Sequence, residues 1–173
     1  MLNLITEKEF DKMYSIMEQS FPTDEYRPYA EQKALLKNEK YKLFVFKNDV
    51  DRIIAFIALW NFNDFVFVEH FAVDSTFRNR GCGSLVLNEV KNKTEKLICL
   101  EVEPPETEIS KRRVEFYKRN GFFLNNYPYM QPPISKGKSM IPLMIMTSNR
   151  SINVNEFTNI KKILYKNVYN YND

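Results

Sequence analysis

The sequence predicts one mixed α/β domain of the α+β kind, and three observations carry that prediction. Three apolar runs rich in aromatic and β-branched residues follow one another with only short polar turns between them, the mark of an antiparallel meander. Beyond them, apolar runs alternate with stretches of helical periodicity, giving strand, helix, strand, helix, strand. No repeat, low-complexity tract or linker interrupts the 173 residues, so residues 1–173 read as a single domain of a size one core supports.

Leu2 to Ile5 reads as a short strand. Thr6 followed three residues later by Glu9 is a capping box, and Phe10, Met13, Ile16, Met17 and Phe21 then repeat at helical spacing until Pro22. A second helix is expected from Pro28 to Lys37, because proline suits a first turn. The meander follows as Lys42–Lys47, Arg52–Trp60 and Phe65–Val73. The third run is apolar nearly throughout, as in a central strand covered on both faces, except for Glu69 and His70. A helix over Ser84–Lys93, a strand over Leu97–Val102 and a helix over Ser110–Asn120 come next, the last ended by Gly121. Phe122–Asn125 and Ile141–Met146 read as the final strands, separated by a proline-rich segment. Residues 155–169 repeat apolar positions at helical spacing, predicting a C-terminal helix.

Composition narrows the function. A net charge of +3 with 22 acidic residues among the basic ones is too mild for a nucleic-acid partner. No apolar run approaches the roughly 20 residues of a membrane span, and the N-terminus lacks a signal-peptide pattern, so a cytoplasmic protein is expected. Two cysteines, Cys82 and Cys99, and a single histidine, His70, make no metal-ligand cluster, and no metal is expected. Glycine is scarce, at four residues, yet Gly81, Gly83 and Gly121 all fall in segments singled out by their motifs.

The most informative segment runs from Phe71 to Leu85, where an apolar strand enters a polar turn and two glycines open a helix. Bare N–H groups in a helix's first turn, with the positive end of its dipole, form an anion site. Glycine lets the backbone approach phosphate oxygens, and Arg78 and Arg80 add charge. The same strand, turn and helix also occur as plain structure. Other nucleotide motifs fail on spacing: neither G-x-x-x-x-G-K-[ST] nor a G-x-G-x-x-G directly after a strand is present.

Arg78-x-x-Gly81-x-Gly83, after a strand ending Phe71-Ala72-Val73-Asp74, resembles motif A of the GNAT (GCN5-related N-acetyltransferase) family. Phe116-Tyr117-Lys-Arg-Asn-Gly121-Phe122 resembles that family's motif B at the expected distance downstream. The resemblance is close over residues 65–125 and looser elsewhere. It implies the GNAT fold, a mixed, mostly antiparallel sheet splayed between its fourth and fifth strands with helices on both faces. It also implies that the backbone of Arg78, Asn79, Arg80, Gly81, Cys82, Gly83 and Ser84 holds the pyrophosphate of acetyl-CoA. Phe71, Ala72 and Val73 would pair with the pantetheine arm through an open strand edge. Tyr117 takes the place of the acid that protonates the leaving thiolate, with a core tyrosine as the alternative. Ser110 stands where the motif often has an asparagine contacting the pantetheine arm.

The implied reaction moves the acetyl group to a primary amine by direct attack in a ternary complex. The amine must first lose a proton. Glu69 is the preferred base, since a carboxylate in an apolar strand has a raised pKa unless it is paired; a buried Glu satisfied by Arg or Tyr is the alternative. Glu101 and Glu103 share a face of the next strand and are further candidates, whereas His70 is expected on the opposite face, packed and hydrogen-bonded. Tyr127 to Pro133, with Trp60 or Tyr26 opposite, is a candidate wall of the acceptor pocket. Two rival readings stand beside the enzyme: a sensor that binds acyl-CoA without turnover, and an interaction domain that forms a homodimer through Tyr165, Tyr169 and Tyr171.

Overall fold

A computed structural model describes residues 1–172. The chain divides into two compact units, Met1–Ile98 and Cys99–Asp173.

In the first unit, β1 (Leu2–Leu4), β2 (Tyr41–Lys47), β3 (Ile53–Asn61) and β4 (Phe65–Val73) lie side by side in that order, every pair antiparallel. The Thr6–Glu9 capping box forms, with the Thr6 N–H donating to Glu9 at 2.8 Å, and leads through one 3-10 turn into α1 (Phe10–Ser20). Only Tyr29–Ala34 of the second expected helix is α-helical (α2). Pro28 is its N-cap rather than part of its first turn, and Leu35–Lys37 tightens to a 3-10 turn. Residues Ile53–Ala58 of β3 are buried without a break, so both faces of that strand are covered. α1 and α3 (Cys82–Lys91) both pack on β3 and β4. The chain reaches α3 two residues sooner than periodicity predicts, because Cys82 and Gly83 carry no apolar signal of their own.

One irregularity in this sheet matters for function. Ala58 pairs with His70 and Leu59 with Val68, so Glu69 faces no residue of β3. An extra residue of this kind is a β-bulge, which breaks the period-two alternation of side chains. Glu69 and His70 were expected on opposite faces; the bulge brings His70 Nδ1 to 3.4 Å from Glu69 Oε2.

In the second unit, β5 (Leu97–Val102, which begins two residues before the boundary), β7 (Ile141–Ser148) and β6 (Phe122–Gln131) form an antiparallel set in the order β5-β7-β6. α4 (Glu108–Arg119) precedes β6, and Gly121 turns the chain between them at φ +76°, the left-handed value a C-terminal glycine provides. β6 is ten residues long, more than twice the predicted strand. Its second half, Tyr127–Gln131, lies where the sequence predicts a proline-rich connection between strands. Pro128 fits here because β6 ends the strand order and the register slips between Asn125 and Tyr129. α5 (Val154–Asn167) is capped by Asn153, whose side chain accepts from the N–H groups of Asn155 and Glu156.

Candidate cofactor and catalytic site

The turn after β4 is built by side chains that leave its backbone bare. Asp74 accepts from the Thr76 hydroxyl at 2.7 Å and the Thr76 N–H at 2.9 Å, is paired with Arg52 at 2.9 Å, and is thereby held below the usual carboxylate range. Arg78 Nε donates to the Val73 carbonyl at 3.0 Å, tying the turn back to the strand. Arg80 lies over the Phe77 ring at 5.4 Å, its guanidinium otherwise in solvent. Asn79 at φ +61° and Gly81 at φ +78° are both left-handed, a conformation glycine adopts without strain and asparagine tolerates.

Gly81 is the N-cap of α3, and no side chain caps the helix there. The first bond back to the cap is Leu85 N–H to Gly81 C=O at 3.1 Å, so the Cys82, Gly83 and Ser84 amides lie upstream of it. A Cβ built on Gly81 would meet nothing within 4 Å. α4 and α5 differ: Thr107 and Asn153 cap them with their own side chains. An uncapped first turn preceded by a left-handed glycine, with open space in front and two arginines beside it, suits a diphosphate.

Tyr117 lies on the buried side of α4, 8% exposed, edge-on to Phe116 and Phe122. Burial pushes its phenol up to about 12, with Arg113 pulling weakly the other way. No side chain or carbonyl among the described residues hydrogen-bonds its hydroxyl. The group is therefore a protonated acid at neutral pH with its proton uncommitted.

Two sequence expectations change here. Ser110 is not at the start of a helix but at its third position, 2% exposed. Its hydroxyl donates to the Thr107 carbonyl at 3.1 Å and accepts from the Thr107 N–H at 3.0 Å, completing a capping box. Its one proton is thereby committed within the cap. Glu69 is likewise paired. Arg27 Nη1 donates to its Oε1 at 2.7 Å, with both side chains nearly sealed from solvent. Burial works against the charge, yet Arg27 and the His70 ring outweigh it and hold Glu69 down at about 2. The expected elevation is absent, and a carboxylate this acidic is a weak proton acceptor.

His70 is packed and hydrogen-bonded, as expected, its Nε2 at 2.7 Å from the Glu25 carbonyl and its ring edge-on to Phe21. A carbonyl only accepts, so Nε2 is the donor there. Glu69 as a whole residue is half-exposed although its side chain is 1% exposed, so its main chain carries the exposure. The bulge thus presents backbone to solvent while its side chain anchors inward. Arg27, the anchor, was not singled out in the sequence; no spacing rule links positions 42 residues apart.

The other candidates are absorbed by structure. Glu101 accepts from the Tyr129 hydroxyl and from the Tyr169 hydroxyl at 2.6 Å; Glu103 pairs with Arg113 at 2.8 Å. Tyr127 donates to the Ile152 carbonyl at 3.0 Å, and Trp60 packs in the core against Tyr41 and Phe62. Tyr165 and Tyr169, expected in a self-associating tail, are 5% and 7% exposed, packed into their own unit. Among the described residues there is no cluster of three metal-ligating side chains, and no helix is long and apolar enough to cross a membrane.

Comparison with known proteins places the chain in a family. The family model of the acetyltransferase (GNAT) domain matches residues 39–123. A solved structure described as an acetyltransferase of the GNAT family from Bacteroides thetaiotaomicron is 31% identical, covers 99% of both chains and superposes with a TM-score of 0.91. The chain belongs to the GNAT acetyltransferase family. A Bacillus subtilis protein named provisionally as an acetyltransferase, YjbC, is 26% identical to this GNAT chain over 163 residues, 92% of this chain and 82% of that protein. An aminoglycoside 6'-N-acetyltransferase solved with coenzyme A shares the fold at 13% identity and TM-score 0.64, covering 88% of this GNAT chain and 99% of its own. As a GNAT acetyltransferase, this chain is an acyltransferase by family.

Proposed function

We propose that this protein transfers the acetyl group of acetyl-CoA to a primary amine in a ternary complex. The observation that carries the reading is the uncapped, glycine-initiated first turn of α3, where a left-handed glycine with open space beside it precedes bare amides. Arg80 and the amides of Gly81 to Ser84 would hold the pyrophosphate, while Arg78 keeps the turn in shape. The backbone of Phe71 to Val73 would run beside the pantetheine arm. Acetyl-CoA supplies an activated thioester; Tyr117 would hold a proton at its hydroxyl for the departing thiolate, a modest demand for a leaving group with pKa near ~8.5. Glu69 acts in this reading by pinning the β4 bulge, so that exposed main chain stands at the end of the cofactor strand, rather than by taking the amine's proton.

Calorimetric titration with coenzyme A and acetyl-CoA, followed by thiol release with a panel of polyamines, aminoglycosides and peptides, tests it. Heat with both cofactors and thiol release with at least one amine is the expected result. Well-folded protein that binds neither cofactor overturns the whole reading. Binding without thiol release from any amine replaces the enzyme with a sensor.

A further inference from the structure

α3 has ten residues and is about 15 Å long, whereas β3 and β4, with nine residues each, extend about 30 Å. A helix half the length of the strands leaves part of their face uncovered. At the end of α3 the first unit has a groove of about 310 Å³. Its floor is apolar: Phe44 and Leu59 are half-buried, and Val66 is buried. Its rim carries Lys42, Lys93 and Lys96, and no Asp or Glu lines it. Lys96 is fixed by the Asn61 side chain at 2.9 Å and the Phe62 carbonyl at 2.7 Å. The ammonium groups of Lys42 and Lys93 have no ion pair or hydrogen bond among the described residues.

We propose that this groove binds a small amphipathic carboxylate, its apolar body on Phe44, Leu59 and Val66 and its anionic head among the rim lysines. Lys42 and Lys93 have no acidic partner among the described residues, which favours an anionic head, and the apolar floor of Phe44, Leu59 and Val66 favours an apolar tail. The size follows from the volume. At about 30 Å³ per water in the liquid, 310 Å³ holds about ten non-hydrogen atoms, the size of octanoate. The site is separate from the α3 N-terminus and does not rest on the acetyl-transfer reading.

The test is a methyl NMR titration of the full chain with sodium octanoate, alone and with saturating coenzyme A. Saturable shifts at the Leu59, Val66 and Val90 methyls, unaffected by coenzyme A, support the proposal. Hexanoate, two methylenes shorter, binds about tenfold more weakly. Octanol, and octanoate against the double variant Lys42→Gln/Lys93→Gln, bind about threefold to tenfold more weakly, since exposed ion pairs are modest. Both lysines are solvent-exposed, so that variant keeps its fold. Thr94→Trp, which fills the groove with the charges intact, abolishes the shifts. No saturable shift, displacement by coenzyme A, or equal binding by the lysine variant overturns the proposal.

Discussion

Replacing Arg27 with methionine isolates the anchor of the β4 bulge. Glu69 sits at about 2 against an ordinary 4.5, and that difference corresponds to about 3 kcal/mol of stability from the charged form. Because folding lowers this pKa, the contribution is complete above about pH 4.5 and is lost as pH falls toward 2. Arg27→Met leaves a buried carboxylate with only a histidine beside it, and removing one partner of a buried pair costs about 3–5 kcal/mol. Burial then dominates and raises the Glu69 pKa, so the sign of the pH dependence reverses. The variant gains stability relative to the parent as pH falls from 7 to 4, because the buried carboxylate picks up a proton. Trp60, the only tryptophan and 2% exposed, lies in the same unit and makes urea unfolding readable by fluorescence. A loss of 3 kcal/mol corresponds to about 6–12 °C in Tm for a chain of this size. The double variant Arg27→Met/Glu69→Gln recovers most of the loss, since no charge remains buried alone. Stability within about 1 kcal/mol of the parent at pH 7, or an unchanged pH slope, would refute the reasoning.

Three further outcomes are expected. Gly81→Ala meets no steric obstacle, so its stability cost is the left-handed conformation alone, about 1–2 kcal/mol, while coenzyme A affinity drops in calorimetry; unchanged affinity would remove the pyrophosphate from this turn. Tyr117→Phe retains cofactor binding and lowers thiol release about 10²-fold, and equal turnover would reject the acid role. Asn153→Ala strips two N–H groups of their cap at α5 and costs about 1 kcal/mol, read as a lower urea midpoint; an unmoved midpoint would mean water caps the helix as well.

The turn proposed for the cofactor could be read from the sequence because it is local. Strand, arginines, glycines and helix lie within fifteen consecutive residues, and each acts through its own backbone or a near neighbour. The segment proposed to carry the acid, Phe116 to Phe122, is local in the same way. The base is not. Glu69 looked like a candidate because an acid in an apolar run has no local explanation, and its explanation, Arg27, comes from a different element. Ser110 misled because helix periodicity does not show where a capping box begins. The second half of β6 was hidden by Asn125, Asn126 and Pro128, which are turn-like in sequence, and Pro128 is tolerated at an edge strand with a shifted register.

Sequence alone was enough for the α/β class, the meander, the glycine-opened helix and the family, since these rest on periodicity and on backbone conformations that particular residues require. Tertiary structure alone decided the pairing of Glu69 with Arg27, the meeting of its side chain with His70, and the commitment of Glu101 to two tyrosines. Those depend on burial and on partners distant in the chain, and a charge's behaviour is set by what surrounds it in space.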